Sequence, residues 1–279
     1  YENIPTKNIR LKSKINQNIL NRSQKNSIKA RRFIASIGYD ELVTFSFTDA
    51  KKCDAFGDIE KLRIVNPISE DLNILRPNLL PNLLNAIKKN KTRNFESFSI
   101  FEIGSQYKST SPEDQLNIAC GIKSGTKYTK SWKKEQNDFD IYDVKEDLIS
   151  LIDFLMPSNK KISVSKDCPS WYHPGRSGTI LINKSIKAGY FGELHPRIAN
   201  SFKIKSKVNI FELYLDEIPN LEKKTTNKPP LKLSDFQAVT RDFAFIIDKK
   251  ISSEEVVNAA SKVDKEIIRN VEIFDLFED

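Results

Sequence analysis

Apolar residues along this chain switch repeatedly between helical and alternating spacing, and the switches outline most of its elements. Ala30, Phe33, Ile34 and Ile37 recur at helical intervals within Ser27 to Ile37, Gly38 supplies a stop, and Glu41 to Phe47 then alternates as a strand. Beyond a turn at Asn66-Pro67, Leu79, Leu80, Leu83, Leu84 and Ile87 stripe a second helix whose first turn accommodates Pro81. Strands are expected next at Phe98 to Tyr107 and Leu116 to Ile122. Val144, Leu148, Leu151 and Ile152 form one face of a third helix over Asp143 to Leu155, before strands at Gly178 to Ile182, Ile186 to Phe191 and Val208 to Leu215. Uneven alternation with helices interspersed favours an antiparallel sheet flanked by helices over a regular βαβ series, so the expected fold class is α+β.

The pattern lapses at Pro219 to Pro230, which has almost no apolar content and ends in two prolines, the composition of a semi-extended linker between domains. After it, Arg241 to Asp248 reads as a strand, Ser252-Ser253-Glu254-Glu255 as a capping box opening a helix, and Ile267 to Phe277 as another strand. That β-α-β order is half of a ferredoxin-like unit. The other half is expected beyond Asp279, and a chain opening on Tyr1 is expected to be a piece of a longer protein.

Composition narrows the class. Three cysteines, Cys53, Cys120 and Cys168, form no C-x-x-C pair and leave an odd count, which favours a reducing, cytoplasmic setting over a disulfide framework or zinc ribbon. No apolar run reaches transmembrane length, so no membrane partner is expected. The formal charge of +8 favours an acidic partner such as nucleic acid, and Lys7 to Arg32 holds nine basic residues and no acidic one. Abundant lysine, isoleucine and asparagine, as in chains from AT-rich genomes, accounts for part of that charge.

Candidate chemistry centres on the two histidines, each directly before proline, in Trp171-Tyr172-His173-Pro174-Gly175-Arg176-Ser177-Gly178 and Gly192-Glu193-Leu194-His195-Pro196. A residue before proline is pushed toward extended or turn geometry, which places both at corners of the fold. One reading joins His173, His195 and Cys168 in a metal or nucleophile site of a stand-alone hydrolase. Their spacing matches no such motif, and H-E-x-x-H, C-x-x-C and G-x-S-x-G are absent. The architectural reading is preferred: His173 with Arg176, and His195 with Glu193, hold their turns by hydrogen bonds, and Arg176 pins a carboxylate such as Glu193. Trp171 and Tyr172 beside a Pro-Gly turn read as core or interface rather than base-stacking residues. Neither a Walker sequence nor G-x-G-x-x-G occurs among the nine glycines, and Phe101-Glu102-Ile103-Gly104 reads as a strand-to-turn element without chemistry of its own.

Taken in order, Asn66-Pro67-Ile68-Ser69-Glu70-Asp71, Leu75-Arg76-Pro77, Leu79-Leu80-Pro81-Asn82-Leu83-Leu84, Phe101-Glu102-Ile103-Gly104, Tyr142-Asp143-Val144-Lys145 and the two His-Pro blocks resemble the beta subunit family of bacterial phenylalanyl-tRNA synthetases. Tyr1-Glu2-Asn3-Ile4-Pro5 resembles the end of the small domain that precedes its core. Ser234-Asp235-Phe236 with Arg241-Asp242-Phe243-Ala244-Phe245 resembles the start of its ferredoxin-fold anticodon-binding domain. Gln237 and Glu146 depart from the usual proline and glycine. The resemblance implies residues 1–15 as the end of the small domain, 16–218 as a degenerate, non-catalytic class II synthetase-like core, 219–232 as linker and 233–279 as a partial anticodon-binding domain.

It also implies an alpha subunit partner in an alpha2-beta2 assembly, tRNA(Phe) as ligand, and ATP and Mg2+ used in the partner chain, with no cofactor, metal or catalytic residue here. Class II sites hold the ATP α-phosphate with arginine in a Phe-Arg-x-Glu setting, whereas this sequence has Tyr107-Lys108-Ser109-Thr110 at the comparable strand end and no later G-x-G-x-x-x-R. Lysine lacks the planar bidentate fork. Arg241, Lys249 and Lys250 become candidates for tRNA backbone contacts, and the helices around Phe33 and Leu83 for packing in the core or against the alpha subunit. A synthetase-like scaffold serving outside translation is the remaining alternative.

Overall fold

A computed structural model of the chain describes residues 2–5, 19–128, 131–133, 135–157, 160–219, 230 and 236–277. It divides into two compact units, Tyr1–Lys224 and Thr225–Asp279. The larger is built on a seven-stranded sheet from β1 (Asp40–Glu41), β4 (Phe98–Tyr107), β5 (Gln115–Ser124), β6 (Ile162–Ser165), β7 (Tyr172–Ile182), β8 (Ile186–Leu194) and β9 (Val208–Tyr214), in the order β1-β4-β5-β9-β8-β7-β6. All neighbours are antiparallel except the β1–β4 pair. A two-stranded sheet joins β2 (Phe47–Thr48) to β3 (Ile74–Leu75). The helices are α1 (Arg22–Ser36), α2 (Leu80–Lys91), α3 (Ile141–Leu155) and the short α4 (Pro196–Ser201). The α+β class and the flanked antiparallel sheet expected from the sequence are what the structure displays.

Both faces of the large sheet are covered, which explains the uneven alternation. On one face α2 lays Leu80, Leu83, Leu84 and Ile87 against Phe98, Ile100, Ile118, Ile122 and Ile210. On the other, Ala30 and Ile34 of α1 and Val144, Leu148, Leu151 and Ile152 of α3 cover Phe101, Ala119, Ile180, Phe211 and Leu213. Each fully buried Leu or Ile contributes about 1.5–3 kcal/mol, so the two apolar layers are a large stabilising contribution to the unit. A strand such as β9, buried on both sides, has no solvent-facing positions to impose a polar alternation.

Several expected boundaries move for identifiable reasons. Helix α1 begins before Ser27, where Asn21 and Gln24 form a reciprocal capping box with both bonds at 2.9 Å. Its polar first turns escape a reading based on apolar spacing. The single strand expected at Glu41 to Phe47 is two short pieces, because Thr44 turns its N–H and hydroxyl to the Glu102 carboxylate, at 3.2 and 2.8 Å, instead of to a ladder. Strands β7 and β8 run longer than the sequence pattern predicts, and β6 and α4 are additional to it. Leu83 is fully buried in the α2 layer, so it packs the core and offers no outer surface. Phe33 is partly buried and stacks on Phe154 at 5.0 Å.

In the smaller unit, α5 (Ser253–Val263) has the expected capping box between Ser252 and Glu255. The flanking strands expected at Arg241 to Asp248 and Ile267 to Phe277 do not form among the described residues. A helix closes its hydrogen bonds locally, whereas a strand needs a ladder partner, and Phe243, Phe245, Phe274 and Leu276 stand exposed. Most of the expected 219–232 linker and of the 1–15 segment lies outside the described residues.

Candidate functional site

The sheet face under α2 carries a row of polar residues inside the apolar layer. Register aligns Glu102 with Cys120, Cys120 with Glu212, Glu212 with Tyr190 and Tyr190 with Thr179, one residue per strand from β4 to β7. Strand side chains alternate, so a register row shares a face. Glu102, Glu212, Cys120 and Thr179 are all buried.

At one end Arg76, only 3 % exposed, lies against Glu102. Its Nη1 donates to Glu102 Oε1 at 2.7 Å and to Thr44 Oγ1 at 3.0 Å, while Nε donates to the Ser105 carbonyl at 2.7 Å. Gly104 makes this possible, because a Cβ there would meet the guanidinium at 2.3 Å. Asn82 donates to Thr44 Oγ1 and to the Phe45 carbonyl, tying α2 into the same knot. The Phe-Glu-Ile-Gly block and Arg76-Pro77 thus supply the two halves of one buried ion pair, a role that neither block reveals in sequence.

At the centre, Glu212 Oε1 accepts from Asn78 Nδ2 at 2.7 Å. The Tyr172 hydroxyl and Trp171 indole N–H act on the same carboxylate and favour its charge, but neither closes to hydrogen-bond geometry, leaving both and Glu212 Oε2 unpaired. Burial prevails and pushes the Glu212 carboxyl up to about 7. Burial likewise drives the Cys120 thiol and Tyr172 phenol well above their ordinary values, which keeps both neutral. Neither can serve as a nucleophile or base near neutral pH.

The His-Pro corners are structural in their bonding. His173 Nδ1 accepts from Gly175 N–H at 3.1 Å, and Ser177 Oγ donates to the His173 carbonyl at 2.7 Å. His195 is the N-cap of α4, its Nδ1 accepting from Arg197 N–H at 3.2 Å, with Pro196 in the first turn. The histidines therefore bond to backbone amides rather than to Arg176 and Glu193, which instead pair with each other at 2.7 and 3.3 Å. Cys168 faces Thr179 Oγ1 at 3.7 Å, and no group of three His, Cys, Asp or Glu able to hold a metal occurs among the described residues. In the smaller unit Arg241 donates to the Thr240 carbonyl and Lys250 N–H to Asp248, both residues exposed, and Lys249 stands beside them in sequence.

Phe56, Trp171, Tyr172 and Tyr190 pack together over the sheet, and the buried Arg76 is paired with Glu102. What the arrangement does is fix the sheet to its covering segments.

The family described as phenylalanyl tRNA synthetase beta chain CLM domain matches residues 6–215, and the ferredoxin-fold anticodon binding domain matches residues 234–279. The phenylalanine–tRNA ligase beta subunit of Bartonella henselae is 39% identical over 267 residues, covering 94% of this chain and 33% of that protein. That of Rhodospirillum rubrum is 36% identical over 262 residues, covering 93% and 33%. The chain thus spans about a third of the length of these relatives. Among solved structures, pyrrolysyl-tRNA synthetase from Desulfitobacterium hafniense shares the fold at a TM-score of 0.52 and 12% identity, covering 70% of this chain and 67% of that one. With a family match across most of its residues and this sheet at its centre, the chain belongs to the phenylalanyl-tRNA synthetase beta chain family.

Proposed function

We propose that the chain acts as a non-catalytic part of a phenylalanine–tRNA ligase beta subunit, supporting an alpha subunit that performs ATP- and Mg2+-dependent phenylalanylation of tRNA(Phe) in the cytoplasm, in an alpha2-beta2 assembly. The observation that carries this reading is the succession of the two family matches along one chain, synthetase-like core first and anticodon-binding fold second. We take 16–218 as the core, 219–232 as linker, 233–279 as part of the tRNA-binding domain and 1–15 as the end of a preceding domain. Arg241, Lys249 and Lys250 are the candidates there for phosphate contact.

The alpha-subunit surface is best sought away from Leu83. Val43 and Phe45 lead into β2, and Val65 and Ile68 follow Arg63, which pairs with β3 from the opposite side. These four apolar side chains are strongly exposed on neighbouring segments, the condition of a surface normally covered by a partner.

The test is phenylalanine-dependent exchange of pyrophosphate into ATP. The chain alone should give none, and full-length beta subunit mixed with its alpha subunit should give it. Exchange by the chain alone would overturn the reading. Failure of the full-length beta subunit to retain an alpha-type synthetase subunit on co-purification would point instead to a scaffold outside translation.

A further inference from the structure

A cleft of about 460 Å³ opens on the larger unit, lined by the end of α2 and the loop after it, the turn after β5, and the segment before β9. Its floor is tightly built. Gly125 has φ +89°, and a Cβ there would meet the Glu96 carbonyl at 2.5 Å. Ser97 Oγ accepts from Thr126 N–H at 3.0 Å, while Ser206 Oγ lies 2.8 Å from Ser124 Oγ and accepts from Lys91 Nζ at 2.6 Å.

Three lysines line this cleft: Lys91, Lys205 and Lys207. Lys88 and Lys89 lie in the last turn of α2, Arg93 in the turn just beyond it and next to the lining residue Asn94, and Lys203 on the same loop as Lys205. Among the described residues no carboxylate comes within ion-pair distance of Lys91, Arg93, Lys203, Lys205 or Lys207. Two carboxylates, Glu96 and Asp138, share the lining and offset part of the charge. Phe95 lies in the same wall with 59 % of its surface exposed. Its ring has no apolar reason to face water, but aromatic faces beside lysines make a stacking surface for bases whose phosphates follow the cations.

We propose that this cleft is a contact surface for single-stranded RNA, with Lys205, Lys207 and Arg93 meeting backbone phosphates and Phe95 stacking on a base. It lies on the synthetase-like unit and does not depend on the tRNA-binding role proposed for residues 233–279.

The probe is a fluorescein-labelled single-stranded oligoribonucleotide of mixed sequence, titrated with the whole chain by anisotropy across a salt series. Arg93→Gln/Lys205→Gln/Lys207→Gln should melt as the parent does, because the three side chains are exposed, and should lower the slope of log affinity against log salt by about 2 to 3. Phe95→Ala should weaken binding roughly fivefold or more without changing that slope. Glu96→Gln should strengthen it. A triple variant whose affinity and salt slope match the parent's would overturn the proposal, as would no measurable binding by the parent at about 50 mM salt, where phosphate contacts are strongest. If Arg241→Gln/Lys249→Gln/Lys250→Gln removed all binding while the cleft variants had no effect, the cleft assignment would fail and the tRNA-binding domain would stand.

Discussion

Arg76 shows what a single buried charge does for this fold. Its guanidinium reaches Glu102, Thr44 and the Ser105 carbonyl, joining β4 to the segment before β2. Breaking one side of a buried pair strands the other charge, so Arg76→Met should cost about 3–5 kcal/mol in urea unfolding. Arg76→Met/Glu102→Leu should recover much of that loss. A single variant as stable as the parent would sink the account. Glu212 makes a second residue-scale prediction. Its carboxyl titrates near 7 in the fold and near 4.5, the ordinary glutamate value, once unfolded. Between those values the native state holds the extra proton, so this contribution to stability is complete below about 4.5 and is lost as pH rises through about 7. Parent minus Glu212→Gln stability, measured from pH 4 to 9, should therefore fall with pH on the order of 3 kcal/mol in all. A flat difference would show that Asn78, Tyr172 and Trp171 fully offset burial. Neither glutamate was legible as special, because a lone Glu in an apolar run reads as an outward alternate position until the register is known.

At the scale of elements, apolar periodicity located every long helix of the larger unit and misjudged what side chains do to backbone. Thr44 and Glu102 split one expected strand into two, a bond between residues far apart in sequence. Capping was more local and more legible in principle: Asn21-x-x-Gln24 and Asp140-x-x-Asp143 both close reciprocal boxes. Asp140→Ala removes the acceptor for Tyr142 and Asp143 N–H and should lower the melting midpoint, at a cost of about 1 kcal/mol. His195→Ala should act similarly through α4, while leaving Arg176 and Glu193 paired. A variant at either cap that melts with the parent would contradict its role.

Across the whole molecule the two units differ in how they are held. The larger has apolar layers on both sheet faces, and the smaller has one helix and no paired strand among its described residues. Hydrogen exchange should therefore be slowest in β4, β5, β8 and β9 and fast throughout 236–251 and 264–277, where few backbone amides have a partner. Slow exchange in those two stretches would mean that the expected strands form after all. The family resemblance was readable from blocks of residues in order. The cleft was not, since its lysines come from segments separated by most of the core.

The indole beside Glu212 also gives the fold an optical handle. The chain has two tryptophans, and Trp132 is 96 % exposed while Trp171 abuts the buried carboxylate. In a Trp132→Phe chain all tryptophan emission would come from Trp171. Its intensity should trace the ionisation of a group about 7 in pKa, turning a silent buried proton into a change of brightness that can be followed while RNA or a partner subunit is added.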